Sequence, residues 1–396
     1  MMPTLTRYDL DPGGPFHLGR RGVELEETGI FISADTLFAA FVAAHYEFGL
    51  DPNALPRLFS AATESTAAPA VPFLLSSAFP RAGRVCFFPA LPVNRLNLNK
   101  ATARARHKEL RSVAFVSQHI FEKAVAGEAL DDWLPPVEPD GPETKGVYLQ
   151  GKSLWLARAE VDQLSPSLLG QKDRKRKCDR VDPIKALPHQ TVWQVEKVPR
   201  VTVDRLTNQS NIFHAGRLHF EQGCGFWFGI EWRQPDQPLD DMYTVRAGVE
   251  LALDSLADIG LGGERSAGYG CFQWKATAML TLPEPQPDRP YVTLSRYHPR
   301  AGELPACLRD TPVAYSLMSV GGWLQSPQSK AQRRRRLWMI EEGSIVRAVG
   351  PGPWGDITDV KPDYSNPDFP PPADDNPITH PVWRYGLACP VAFGGR

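Results

Sequence analysis

The stretch "VRAGVELALDSLADIGLGGERSAGYGCFQWKATAML" (245–280) restricts the fold more than any other part of the chain. Val245, Val249, Leu253 and Leu256 recur at helical spacing. Gly260 is a C-terminal stop for that helix. From Tyr269 onward, aromatic and β-propensity residues read as a strand. Five glycines between the two surround Arg265 and Tyr269. A glycine loop that leads from helix to strand excludes two familiar phosphate loops. The Walker loop needs Lys and then Ser or Thr after its last glycine, where this chain has Cys271 and Phe272. The dinucleotide fingerprint runs from strand to helix and needs a third glycine where Arg265 stands.

Upstream, "TLTRYDL" alternates as a strand, and "SADTLFAAFVAAHYEFG" predicts a helix. Its N-cap is Ser33, Asp35 favours the positive end of the helix dipole, and Gly49 is the stop. Leu37, Phe38, Phe41 and Val42 form its core stripe. "RVCFFPAL" adds a short strand. Residues from about 94 to 213 interrupt the rhythm with basic segments, prolines and a helical candidate, "SVAFVSQHIFEKAVAG", and read as an insertion. "GRLHFEQGCGFWFGIEW" reads as a hairpin around Gly223. Without the insertion the order is βαββαβ, a ferredoxin-like arrangement. "TLPEPQPDRP" (281–290) serves as a linker, and short strand-like runs beyond it suggest a degenerate second copy. The expected class is α+β, with two ferredoxin-like (RRM-like) domains at 1–280 and 291–396 and an insertion at about 94–213.

A net charge of −1 argues against a generic basic nucleic-acid binder, but the average hides segregation. "NRLNLNKATARARHKELR", "QKDRKRKCDR" and "SKAQRRRR" are basic, whereas 354–377 is acidic and proline-rich. That division suits a subunit holding a polyanion on one side. The six cysteines include no C-x-x-C pair, so neither a zinc site nor a disulfide framework is expected. His214 and His219 lack an evident third metal ligand, and no cofactor or metal is expected. No apolar run reaches membrane-spanning length, and the N-terminus has no signal-like segment, so a cytoplasmic location is expected.

Several motifs together resemble one family. "GLGGERSAGYG", in its helix-to-strand setting, is similar to the glycine-rich loop of the RAMP superfamily of CRISPR proteins. "ISADTLFAA", "PRVTVDRLTNQSNIFHAGRLHF", "EEGSIV" and "HPVWRYG" resemble segments of one branch, in the expected order. That branch is the subunit of the type III-A (Csm) interference complex that caps the 5′ handle of the guide RNA. The resemblance implies two ferredoxin-like domains with a thumb-like insertion. It also implies crRNA as ligand, and a large signalling subunit and a backbone RAMP subunit as partners. The expected role is a non-catalytic scaffold, and no G-G-D-D sequence marks a cyclase-like subunit.

A bound single strand needs amides and cations for its phosphates and flat side chains for its bases. Gly262 and Gly263 are expected to let phosphates approach the backbone closely. Arg265 is expected to grip a phosphate, Ser266 to donate a hydroxyl, and Tyr269 to stack. Arg200, Thr202 and Arg205 add cations and a hydroxyl, and Lys100, Arg104 and Lys108 share one face if their segment is helical. His17 and Arg20, in "FHLGR", lie where relatives place an RNA contact. His17 also allows a rival reading as general base of a guide-processing RAMP endoribonuclease. A third reading is a protein–protein adaptor whose basic runs meet acidic partners. Asp35 matches a target-cleaving aspartate by residue type only, and its helix-start position favours a structural role.

Overall fold

The computed structural model describes residues 4–19, 27–63, 70–136, 143–169, 183–203, 210–326, 329–365 and 377–395. Up to residue 281 the strands are β1 (Thr4–Pro12), β2 (Phe73–Leu75), β3 (Phe79–Ala82), β4 (Val85–Pro89), β5 (Phe115–Ser117), β6 (Gly146–Leu149), β7 (Leu154–Ala157), β8 (Trp193–Val203), β9 (Ser210–Phe220), β10 (Cys224–Trp232) and β11 (Phe272–Thr281). The main sheet runs β11-β1-β10-β3-β4-β5-β7-β6, and β2 also pairs with β10.

The first four strands of that order are antiparallel to their neighbours. They are joined through the helices Ala34–Glu47 and Val245–Ile259, which pack on each other. This last–first–third–second sequence is what a βαββαβ chain produces when each helix returns the chain over one face. Strand β10 is buried along seven consecutive residues, so both of its faces are covered. Tyr8 of β1 stacks on Phe228 of β10 at 5.2 Å, a cross-strand aromatic pair at the centre of the sheet.

Ser33 precedes the first helix, but its side chain makes no capping bond. The Ser77 hydroxyl accepts from the Ala34 amide instead, at 2.9 Å. Leu37, Phe38 and Phe41 are fully buried as the stripe predicts, while Val42 is half-buried.

Two sequence expectations are corrected. The hairpin 216–232 does not pair: β9 runs antiparallel to β8 from Trp193↔Phe220 to Val203↔Ser210. The reason is geometric, because β1 on one side and β2 and β3 on the other already occupy both edges of β10. The helix expected over "SVAFVSQHIFEKAVAG" is shorter. Phe115–Ser117 is strand β5, parallel to β7, and the helix runs Gln118–Ala126 to a left-handed Gly127. The inserted segment is also not a free appendage, since β5, β7 and β6 extend the main sheet. Only the β8–β9 ribbon stands apart as a separate ladder.

After residue 281 come β12 (Pro290–Thr293), β13 (Leu317–Val320), β14 (Trp323–Ser326), β15 (Ser329–Arg333), β16 (Leu337–Ile340), β17 (Ile345–Arg347), β18 (Ile357–Asp359), β19 (Trp383–Tyr385) and β20 (Pro390–Ala392). They form small sheets of two or three strands. Among the described residues this half has no α-helix. It packs directly on the first half. Tyr385 lies 5.2 Å from Phe38 ring to ring, and its hydroxyl accepts from the Leu75 amide at 2.9 Å. One hydrophobic core therefore includes Leu5, Phe38, Trp155, Leu294 and Val391.

Candidate functional site

The packing of the two halves leaves a cleft of about 1610 Å³ between them. One wall consists of the first helix, the segment after β1 and the glycine loop; the other consists of the arginine-rich strands of the second half. Six arginines and four carboxylates line it, an excess of two positive charges (6 − 4) before the histidine is counted. An opening with such a lining concentrates anions.

The deepest charges form one cluster. Asp35 begins the first helix, and its carboxylate accepts from Arg296 at 3.2 Å and from Arg384 at closer range. Asp35 and Arg384 keep only 2% and 5% of their side-chain surfaces. Burial alone raises the Asp35 carboxyl, but the charges of Arg296 and Arg384 outweigh it and hold the group below the usual carboxylate range. Glu342 lies 3.8 Å from Arg296, yet its burial pushes its carboxyl up. This cluster ties the start of the first helix to both arginine-bearing segments of the second half. Asp35 is thus fully engaged by cations, as expected of a structural aspartate.

The glycine loop packs against His17. The Gly263 amide donates to the His17 carbonyl at 2.8 Å. A Cβ at Gly262, where φ is +102°, would lie 2.5 Å from that carbonyl, and one at Gly263 would lie 2.8 Å from the imidazole. These two glycines allow a close backbone crossing on the wall of the cleft that both line. The amides of Leu261, Gly263, Ala267, Gly268, Tyr269 and Gly270 all donate within this crossing. His17 is 4% exposed, and its Nδ1 lies 2.7 Å from the Gly216 carbonyl. A carbonyl only accepts, so Nδ1 carries the proton. His17 thereby joins the post-β1 segment, the glycine loop and β9.

Tyr269 is 6% exposed, Arg200 covers its ring at 5.6 Å, and Arg200 donates to its hydroxyl at 3.2 Å. A ring enclosed in this way is not an open stacking surface; it anchors the β8–β9 ribbon to the glycine loop. Arg265 and Ser266 are exposed on the loop's rim, and Arg265 lines the cleft. Among the described residues no carboxylate pairs with Arg265.

The remaining expected residues lie elsewhere. Lys100 and Arg104 are on the helix Lys100–Ala105, and Lys108 is on His107–Leu110. The backbone breaks at Arg106, so one continuous helix does not present all three. They are exposed but do not line the cleft. Thr202 stands on β8 opposite Asn211. Arg20 and Arg205 lie outside the described residues. Sequence reasoning missed Arg296, Arg334 and Arg384 as a group. The run "RRRR" (333–336) was the available signal, but Arg296 and Arg384 join it only through folding.

Residues 286–393 match the family model described as the CRISPR Csm4 C-terminal domain. A Thermococcus onnurineus (strain NA1) protein named CRISPR system Cms protein Csm4 is 30% identical over 162 residues, 41% of this chain and 47% of that one. A Methanocaldococcus jannaschii protein of the same name is 20% identical over 304 residues, 75% of this chain and 76% of that one. The chain is thus similar to proteins named Csm4, and its residues 286–393 are similar to their C-terminal domain. The match spans about half the length of the first relative and about three quarters of the second. Among solved structures, the chain resembles one in a Csm3–Csm4 subcomplex of the type III-A CRISPR–Cas interference complex. That likeness has 15% identity and a TM-score of 0.57, and covers 98% of this chain and 99% of the other. It also resembles a chain of a Csm1–Csm4 cassette in complex with pppApA, at 18% identity and a TM-score of 0.51 over 99% and 98%. At such identities the likeness establishes a shared fold. No helix among the described residues is long and apolar enough to cross a membrane.

Proposed function

We propose that this Csm4-like chain is a non-catalytic RNA-binding scaffold in antiviral defence, holding the 5′ repeat-derived handle of the crRNA in the inter-half cleft. The observation that carries this reading is the cleft itself with its six arginines, among them Arg265 at the rim, which no described carboxylate pairs with. Clustered guanidiniums suit phosphodiesters because each offers paired donors and permanent charge. In this reading the glycine loop holds Arg265 in place, and the arginine rather than the loop amides contacts the strand. The βαββαβ half then serves as a ferredoxin-like RAMP platform, and the β8–β9 ribbon as its thumb. Solved relatives are described with Csm1 or Csm3. By extension, this chain bridges a large signalling subunit and a backbone subunit, in the cytoplasm.

The endoribonuclease reading is weaker. A general base must reach the proton it removes, whereas His17 is enclosed and its Nδ1 is bonded to Gly216. The test is the affinity of the full chain for a fluorescent handle RNA. A lost charge-assisted contact is worth about 1.5–3 kcal/mol, so Arg265→Ala should weaken binding roughly ten- to a hundredfold. Arg265→Lys should recover part of the loss. Unchanged affinity in Arg265→Ala would refute this placement, and cleavage of repeat RNA abolished by His17→Ala would restore the nuclease.

A further inference from the structure

The second half presents a cation that the inter-half cluster leaves over. Arg334 lines the cleft and is half-buried, and no carboxylate among the described residues pairs with it. Its Nε has no hydrogen-bond partner. The nearby anion, Asp35, is already bound by Arg296 and Arg384. Burial lowers the Arg334 guanidinium, and repulsion from Arg384 adds to the effect, bringing it to about 10. It therefore remains cationic at neutral pH, in a place where charge is costly without a counter-ion.

A flat aromatic surface lines the same cleft. The Arg334 amide donates to the Gly322 carbonyl at 3.0 Å, so its backbone crosses just before Trp323. In the β14–β15 ladder Trp323 lies opposite Arg333, whose guanidinium covers the indole at 5.0 Å. Trp323 remains 60% exposed, so only one of its faces is taken. Trp323, Arg333, Arg334 and Arg336 all line the cleft. A cation without a described carboxylate partner and a half-covered aromatic ring on one cleft wall match the alternation of phosphate and base in a single strand. A free inorganic anion would leave the indole unused. A protein partner would need a carboxylate carried beside an apolar group.

Building on the cleft reading above, we infer that Arg334 and Trp323 form a second grip on single-stranded RNA. Arg334 takes one phosphodiester and the open face of Trp323 takes the adjoining base. The strand then spans the cleft from Arg265 on one wall to Arg334 on the other. Stacking tolerates any base, so this grip supplies affinity and direction with little sequence preference.

The experiment measures fluorescence anisotropy of the full chain with a short single-stranded RNA, over a range of salt concentrations. Arg334→Gln should weaken binding about tenfold and reduce the log–log salt slope by about one. Arg334→Lys should retain most of that slope. Trp323→Leu should weaken binding about five- to 150-fold, and Trp323→Phe should restore most of it. Thermal melts of each variant separate a folding defect from a binding one, and a variant that fails to fold is replaced by its conservative partner. If Arg265→Ala loses RNA while Arg334→Gln and Trp323→Leu bind normally, the second grip is wrong and the cleft reading stands. If the wild type binds no RNA at any salt, both fall. If Trp323→Leu spares RNA but abolishes pull-down of a large or backbone subunit, the patch is a protein-docking face and the inference is overturned.

Discussion

Removing the Asp35 charge tests the proposed joint between the halves most directly. Asp35→Asn keeps the side chain's shape but leaves Arg384, 5% exposed, and Arg296, 16% exposed, without their shared carboxylate. Glu342 remains 3.8 Å from Arg296 with its carboxyl pushed up by burial, and Glu341 also acts on Arg296. Removing one partner of a buried ion pair costs about 3–5 kcal/mol, because the surviving charge stays desolvated. Typical total stabilities are about 5–15 kcal/mol, so the loss is a large fraction. With a urea slope of about 3 kcal/mol/M, the unfolding midpoint should fall by roughly 1 M or more. The pH dependence has a definite sign. The folded carboxyl is held below its unfolded value of about 3.9, so its stabilising contribution is complete above that value. It is lost as pH falls through the folded value. The gap between wild type and Asp35→Asn should therefore be full near neutrality and close in acid. A loss below about 1 kcal/mol at neutral pH, or a gap that does not change with pH, would refute the reasoning.

Two further substitutions test the loop crossing. Gly262→Ala places a Cβ 2.5 Å from the His17 carbonyl at a φ of +102°, and the backbone strain alone is worth about 1–3 kcal/mol. Its melting temperature should fall clearly, and an unchanged melt would show that the crossing is loose. Tyr269→Phe keeps the ring under Arg200 but removes the hydroxyl that Arg200 donates to, for a loss of about 0.5–1.5 kcal/mol. Limited proteolysis should then cut the β8–β9 ribbon faster. Equal cutting rates would mean that Tyr269 does not anchor it.

Several elements were legible in the sequence, and their strand partners less so. Local patterns located β1, the first helix, Val245–Ile259 and β11, because each is long and periodic. Alternation in "GRLHFEQGCGFWFGIEW" marked two strands but carried no information about edges, so β9 was assigned to β10 rather than β8. The apolar run Phe115–Ser117 is too short for periodicity to separate strand from helix. At the site, Arg265 was readable as a cation on a glycine loop. Gly262, Gly263 and Tyr269 were readable as special, yet their contacts are His17 and Arg200, both distant in sequence. No local rule predicts that a conformationally free loop is free in order to cross its own chain.

The arginine cluster shows why the inter-half joint and the binding surface are difficult to separate. Three arginines, Arg296, Arg334 and Arg384, act on the single carboxylate of Asp35. Two clamp the first helix to the second half, and the charge of Arg384 raises the cost of holding the third. A fold selected for stability alone gains nothing by retaining Arg334 there, since an apolar side chain of similar size would avoid the repulsion. Arg334→Met should therefore leave stability equal or improve it while weakening RNA binding, as urea titration and anisotropy on the same preparation would show. If Arg334→Met is instead strongly destabilised, the residue belongs to the clamp, and its place on the cleft wall is a consequence of packing.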